Sequence, residues 1–157
     1  MAYSPQTQAM YIPITLNCEL ATFGPTEQVL GGGGVGPVRR INYPHHDAEE
    51  NLGELLVLDI PSGEVKWRYR QRAPINSAAL TTAGGLVIVG DWNRYYYALD
   101  AETGEKLWQT RTTTSAQGFP ISYMIDGRQY IAMPAGVGGA SWSGMLPRDL
   151  APELSRP

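Results

Sequence analysis

Only one cysteine, Cys18, occurs in the 157 residues, so no disulfide can form within the chain. Its expected role is that of a small buried apolar side chain, with pairing to a cysteine outside the chain as the minor alternative. Long apolar runs are missing too: none reaches the roughly 18 residues that a membrane-crossing helix needs. Positive charge is not in excess. Twelve Lys and Arg stand against 15 Asp and Glu, a net charge of −3, which excludes the basic stripe of a nucleic-acid binder. No helical period of useful length recurs. Met1-Ala2-Tyr3-Ser4-Pro5 has no basic segment followed by an apolar one, so no secretory leader is expected there. A Cys-x-x-Cys-His haem-attachment run is absent, so no cytochrome domain is expected in this piece.

What is present is glycine (18), proline (12) and 43% apolar residues, a balance suited to short strands joined by many turns. Two segments match each other, Leu56-Val57-Leu58-Asp59-Ile60-Pro61-Ser62-Gly63-Glu64-Val65-Lys66-Trp67 and Tyr97-Ala98-Leu99-Asp100-Ala101-Glu102-Thr103-Gly104-Glu105-Lys106-Leu107-Trp108. Asp59 to Asp100, Gly63 to Gly104 and Trp67 to Trp108 are each 41 residues apart. A four-stranded propeller blade repeats at about 40–45 residues. In such a unit an apolar strand ends at the Asp, whose carboxylate accepts backbone N–H groups of the turn. The Gly takes the positive φ of a tight turn. The following strand then carries a Trp able to cover a neighbouring blade, so Trp67 and Trp108 are expected to be largely buried clamps rather than ligand-stacking residues.

Further strands are expected at Gly85–Gly90 and Tyr95–Leu99, with a turn at Asp91-Trp92-Asn93-Arg94. Ile121–Ile125 and Gln129–Met133 flank Asp126-Gly127, a strong hairpin signal. Ala9–Ile14 reads as a strand of an earlier blade. Between about 17 and 52 the chain reads as a long irregular loop, which in a compact domain is usually functional or mobile. Its run Gly31-Gly32-Gly33-Gly34 lacks the Lys and Ser/Thr of a phosphate loop. His45-His46-Asp47 could in principle ligate a metal, but adjacent side chains without further ligands make a poor site, and solvated loop residues are the preferred reading.

These features give an all-β fold, a partial β-propeller of about two to three four-stranded blades, with blade repeats over about 53–140 and a Pro-rich tail over 143–157. A closed ring needs about four to eight blades. Residues 1–157 are therefore expected to be a fragment of one propeller domain, with truncation the favoured explanation.

Leu80-Thr81-Thr82-Ala83-Gly84-Gly85-Leu86-Val87, Ala98 to Trp108, Gly118-Phe119-Pro120-Ile121-Ser122-Tyr123 and Asp126-Gly127-Arg128-Gln129-Tyr130-Ile131-Ala132 resemble the last blades of quinoprotein alcohol dehydrogenases of the methanol/ethanol type. Met1 to Thr7 and Tyr11-Ile12-Pro13 resemble a segment about two blades earlier. The resemblance implies an eight-bladed propeller in a periplasmic oxidoreductase. It further implies pyrroloquinoline quinone in the central funnel beside a calcium or lanthanide ion, a small alcohol as substrate, and cytochrome c or membrane quinone as electron acceptor. No catalytic residue and no metal ligand is assigned within the chain, because the family's are expected upstream of residue 1. The family has a glycine turn after its last Gln-Tyr-x-Ala strand, and the matching run here assigns Gly139, Ala140, Ser141 and Trp142 to quinone contact. Glycines suit that place because they let backbone approach a flat ligand. Ile75-Asn76-Ser77 stands where many relatives carry a Trp, so the subgroup is left open.

The alternative is a non-enzymatic propeller of the same repeat type, a scaffold binding protein partners in outer-membrane assembly. The Asp-to-Trp unit fits both. The Gly-Phe-Pro, Asp-Gly-Arg-Gln-Tyr and Gly-Val-Gly-Gly-Ala features favour the dehydrogenase.

Overall fold

The computed structural model describes residues 1–24, 30, 39–136 and 145–155. Two four-stranded antiparallel sheets and one two-stranded sheet follow one another as blades. The first blade has the order β1 (Ala2–Ser4), β2 (Ala9–Thr15), β5 (Gly53–Asp59), β6 (Val65–Gln71). The second has β7 (Leu80–Thr81), β8 (Leu86–Gly90), β9 (Tyr95–Asp100), β10 (Lys106–Arg111). Among the described residues the third holds only the hairpin β11 (Ile121–Ile125) and β12 (Arg128–Ala132). The expected two to three blades are thus two and a half among the described residues.

The repeat sits where its chemistry requires. Asp59 and Asp100 end the third strand of each blade, and Trp67 and Trp108 lie in the fourth. Asp59 accepts from the Ser62 backbone N–H at 3.0 Å and the Ser62 hydroxyl at 2.7 Å. Asp100 does the same with Thr103, at 2.8 and 3.0 Å, and adds the Glu102 N–H at 2.9 Å. These donors hold both carboxyls below the ordinary range, led by the Ser62 hydroxyl at Asp59 and by the Thr103 amide at Asp100. Gly63 and Gly104 take φ of +73° and +77°, as the turn demands.

Blade contacts are apolar. Ala9, Tyr11, Leu55 and Val57 of the first blade pack on Val87, Val89, Tyr97 and Leu99 of the second. Ile88, Tyr96 and Ala98 on the second blade's other face meet Ala116 and the partly buried Ile131 and Met133. Alternation along β8 and β9 sends odd positions one way and even positions the other, so each strand serves two interfaces.

Four expectations require correction. Ala9–Thr15 belongs to the first blade itself, paired along its length with β5. The 41-residue period concealed this because 16–52 is inserted between the blade's second and third strands. That insertion is not wholly irregular: β3 (Asn17–Thr22) and β4 (Arg39–Pro44) pair as an antiparallel ribbon. Cys18 lies exposed on the ribbon rather than buried. Trp67 is partly buried, but Trp108 remains 48% exposed. The tail adds a short helix, α1 (Met145–Leu150), and a 3₁₀ turn at Pro152–Ser155. Pro147 is tolerated there because the first helical turn has no intrahelical acceptor for its missing N–H.

Candidate functional site

Strand direction alternates within a blade, so the turn between second and third strands and the link to the next blade share one end. At this end the links 72–79 and 112–120 run side by side. Ser77 bridges Gly118 in parallel register, and the Ala78 N–H donates to the Gly118 carbonyl at 2.8 Å. Ile75 bridges Asp91 and, one period later, Ala116 bridges Ala135. The Gly136 N–H donates to the Ser115 carbonyl at 3.0 Å. Ala135 and Gly136 open the glycine run, are its only described residues, and lie beside the inter-blade links. Gly139, Ala140, Ser141 and Trp142 themselves lie outside the described residues.

The most enclosed polar group at this end is Asp91, which is 1% exposed. Its Oδ2 accepts from the Tyr97 hydroxyl at 2.5 Å and from Gln71 Nε2 at 3.1 Å, while Oδ1 accepts from the Tyr95 N–H at 2.9 Å. Burial pushes its carboxyl pKa up against the opposing pull of these donors. The Tyr97 hydroxyl is raised too, by burial and then by its hydrogen bond to Asp91. Asp91 joins the outer strand of the first blade, through Gln71, to the third strand of the second. Its carboxylate oxygens are occupied by protein donors, so it serves as an inter-blade tie rather than an accessible base. The sequence shows Asp91 only as a turn residue. Its tie to Gln71 spans 20 positions and has no local signal.

Neighbouring polar groups are engaged in the same way. Ser115 Oγ donates to the Trp92 carbonyl at 2.8 Å, and Asn76 Nδ2 to the Ala116 carbonyl at 3.3 Å. Ser77 Oγ accepts from the Gly90 N–H at 2.7 Å. The Tyr96 hydroxyl donates to the Pro134 carbonyl at 2.6 Å, and burial pushes its pKa up to about 12.

The insertion stands over the same end of the first blade. Its base is closed by Leu16 N–H to the Leu52 carbonyl at 2.9 Å and His45 N–H to the Leu16 carbonyl at 3.1 Å. The tail lies against it, with Asn42 Nδ2 donating to Asp149 at 2.7 Å. Pro44, Glu50, Leu52, Arg72 and Glu153 line an open cleft between them. Among the described residues, His45, His46 and Asp47 are the one group of three side chains close enough to share a metal ion. His45 Nδ1 already accepts the Asp47 N–H at 3.2 Å, and His46 Nε2 lies 3.3 Å from the Asp47 carboxylate. The group is largely in solvent and offers no fourth ligand, which favours the solvated-loop reading.

Residues 49–131 match the family described as glucose/ethanol/alcohol dehydrogenase, beta-propeller domain. Quinoprotein ethanol dehydrogenase of Pseudomonas putida is 34% identical over 159 residues, covering all of this chain and 24% of the relative. Lanthanide-dependent methanol dehydrogenase of Methylacidiphilum fumariolicum is 30% identical, covering 97% of this chain and 25% of the relative. Among solved structures, a europium-containing methanol dehydrogenase superposes with a TM-score of 0.76 at 29% identity, covering 95% of this chain and 27% of that one. The chain spans about a quarter of the length of the curated relatives it matches.

Proposed function

The chain belongs to the glucose/ethanol/alcohol dehydrogenase beta-propeller family, and from that membership we propose that it forms the C-terminal blades of a quinoprotein oxidoreductase of alcohols. The observation that carries this reading is the unfinished third blade. β11 is exposed along its length, and among the described residues no turn lies under Trp108, which is 48% exposed. Both features call for polypeptide beyond these residues, in keeping with relatives about four times longer. The relatives named above are all dehydrogenases, which favours the enzyme over the outer-membrane scaffold.

The parent protein is proposed to use pyrroloquinoline quinone with a metal ion, calcium or lanthanide, to oxidise a small alcohol. Electrons would pass to cytochrome c or membrane quinone in the periplasm. The described residues do not by themselves fit either group. Asp91, Asn76, Ser77 and Ser115 at the linker end already have protein partners, and no carboxylate–amide set for a metal lies among them. By the resemblance of the glycine run to the family's, quinone contact is proposed for Gly139, Ala140, Ser141 and Trp142, and the general base and metal ligands for the rest of the ring.

Two experiments test this. The purified chain, given quinone, calcium and ethanol, should reduce a dye no faster than background, and activity from it alone would overturn the division of labour. In the full-length protein, Gly139→Val should weaken quinone binding in an apo-enzyme titration by far more than it lowers Tm. Equal affinity with a lower Tm would leave residues 139–142 as an ordinary turn.

A further inference from the structure

Among the described residues one guanidinium fastens three stretches of chain. Arg72 is the first residue after β6, at the linker end of the first blade. Its Nε donates to Glu153 Oε1 at 2.7 Å, Nη1 to the Glu50 carbonyl at 2.9 Å, and Nη2 to the Leu150 carbonyl at 2.8 Å. The Leu150 carbonyl ends α1 and is one of the helix's orphan acceptors, where partial negative charge gathers.

The Glu50 carbonyl belongs to an unusual turn. Glu49 and Glu50 both take positive φ, +52° and +78°. Two consecutive non-glycine residues there hold a costly conformation that persists only where the surroundings over-determine it. Those surroundings are visible: Arg70 Nη1 donates to the Asp47 carbonyl at 2.9 Å, Arg72 takes the Glu50 carbonyl, and Ala48 and Leu52 on either side are buried.

We infer that Arg72 is a latch, holding the tail 145–155 as a strap against the insertion and keeping the Glu49–Glu50 turn in its strained form with the same group. The strap forms one wall of the cleft lined by Pro44, Glu50, Leu52, Arg72 and Glu153, so release of the latch opens that cleft. The chemistry needs arginine. A guanidinium presents rigid donors in separate directions within one plane, whereas an ammonium is a point charge that cannot reach three divergent acceptors in fixed geometry. The device is independent of the quinone assignment and survives if that assignment fails.

The test is hydrogen exchange read by mass spectrometry on the full-length protein, comparing wild type with Arg72→Lys and Arg72→Ala. Two peptides report: one with the Asn51 amide, which donates to the Ala48 carbonyl at 2.7 Å, and one with the Ala151 amide, which donates to Pro147 at 2.8 Å. Both should exchange about tenfold faster or more in both variants, the scale of losing charge-assisted bonds, while second-blade peptides keep their protection. Glu153→Ala removes only one of the three acceptors, so it should loosen the Ala151 peptide and leave the Asn51 peptide unchanged. It also supplies a milder variant should either Arg72 change prevent folding. The latch is overturned if Lys restores both peptides, if only one peptide responds to loss of Arg72, or if Glu153→Ala loosens both equally.

Discussion

Trp67 and Trp108 occupy the same position in the same repeat, and the chain gives them opposite surroundings. Trp67 lies over the turn of the second blade: its indole N–H donates to the Ala101 carbonyl at 3.3 Å and its ring packs edge-on to Tyr11, with centroids 6.0 Å apart. A methyl built on Gly104 would stand 2.8 Å from the Trp67 ring, so the absent side chain of that glycine is the seat. Among the described residues Trp108 has no such turn ahead of it. Gly63, with the same positive φ as Gly104, meets nothing within 4 Å. Each repeat therefore encodes one knob and one seat, and an interface exists only where the knob of one blade meets the seat of the next. Burial of the tryptophan belongs to the pair, not to the residue.

The largest expected difference is between the two tryptophans. Trp67→Ala should cost about 3 kcal/mol in a urea melt of the 157-residue chain, since it removes an aromatic ring from a packed interface. Trp108→Ala should stay within about 0.5 kcal/mol, as a surface change does. Equal losses would break the knob-and-seat comparison. In the full-length protein the two costs should converge, because a completed third blade would cover Trp108.

The seats come next. Gly63→Ala meets only the backbone penalty of positive φ, about 1–2 kcal/mol. Gly104→Ala adds the displacement of Trp67 and should cost at least about 1 kcal/mol more. Coupling Gly104→Ala with Trp67→Ala in a double-mutant cycle should abolish that excess, and strictly additive values would sink the assignment.

Among the described residues the first interface holds a buried carboxyl, Asp91, and the second holds none. Tyr97→Phe withdraws a hydroxyl donor from the enclosed Asp91 carboxylate and should cost about 2–3 kcal/mol. Tyr96→Phe removes a neutral bond to the Pro134 carbonyl and should cost about 1 kcal/mol. A reversed order in thermal melts would show that Asp91 is not the tie described.

The smallest effect concerns the two turns. Both Asp59 and Asp100 are held below the ordinary carboxylate range in the folded chain, so their contribution is present at neutral pH and is lost as pH falls through those lowered values. Because both are solvent-exposed, the loss is slight. Ser62→Ala should raise the Asp59 midpoint in a carboxyl NMR titration and leave Asp100 where it was. Movement of both would mean the turns are coupled.

How much of this could be read in advance follows from the range of each interaction. The Asp-to-Trp units, their turn glycines and the Asp126-Gly127 hairpin were legible because every cause lies within a dozen residues. Asp126 and Gly127 indeed take φ of +48° and +76°. The membership of β2 in the first blade was not legible, since its partner β5 lies beyond the 16–52 insertion. β3 and β4 were missed because each carries few apolar residues and a glycine run separates them. The ties of Asp91 to Gln71 and of Arg72 to Glu153 join charged or amide residues far apart in the chain, and no periodicity marks them. Exposure of Trp108 was unreadable for another reason: its cause is a turn that is not among the described residues.

The insertion also bears on how the chain reaches its structure. In the second blade the residues 91–94 join the second and third strands, whereas in the first blade 16–52 must be spanned before β2 can meet β5. By loop-closure entropy that longer span costs about 2 kcal/mol more, less whatever an early β3–β4 ribbon saves by drawing the ends together. The second blade, with the shorter sequence separation, should acquire its pairing first and offer Val87, Val89 and Leu99 as a surface on which the first blade condenses. Pulse-labelled amides of β8 and β9 would then be protected before those of β2 and β5. An insertion whose fastenings in the finished protein are a latch and a ribbon would thus also set the order in which blades appear.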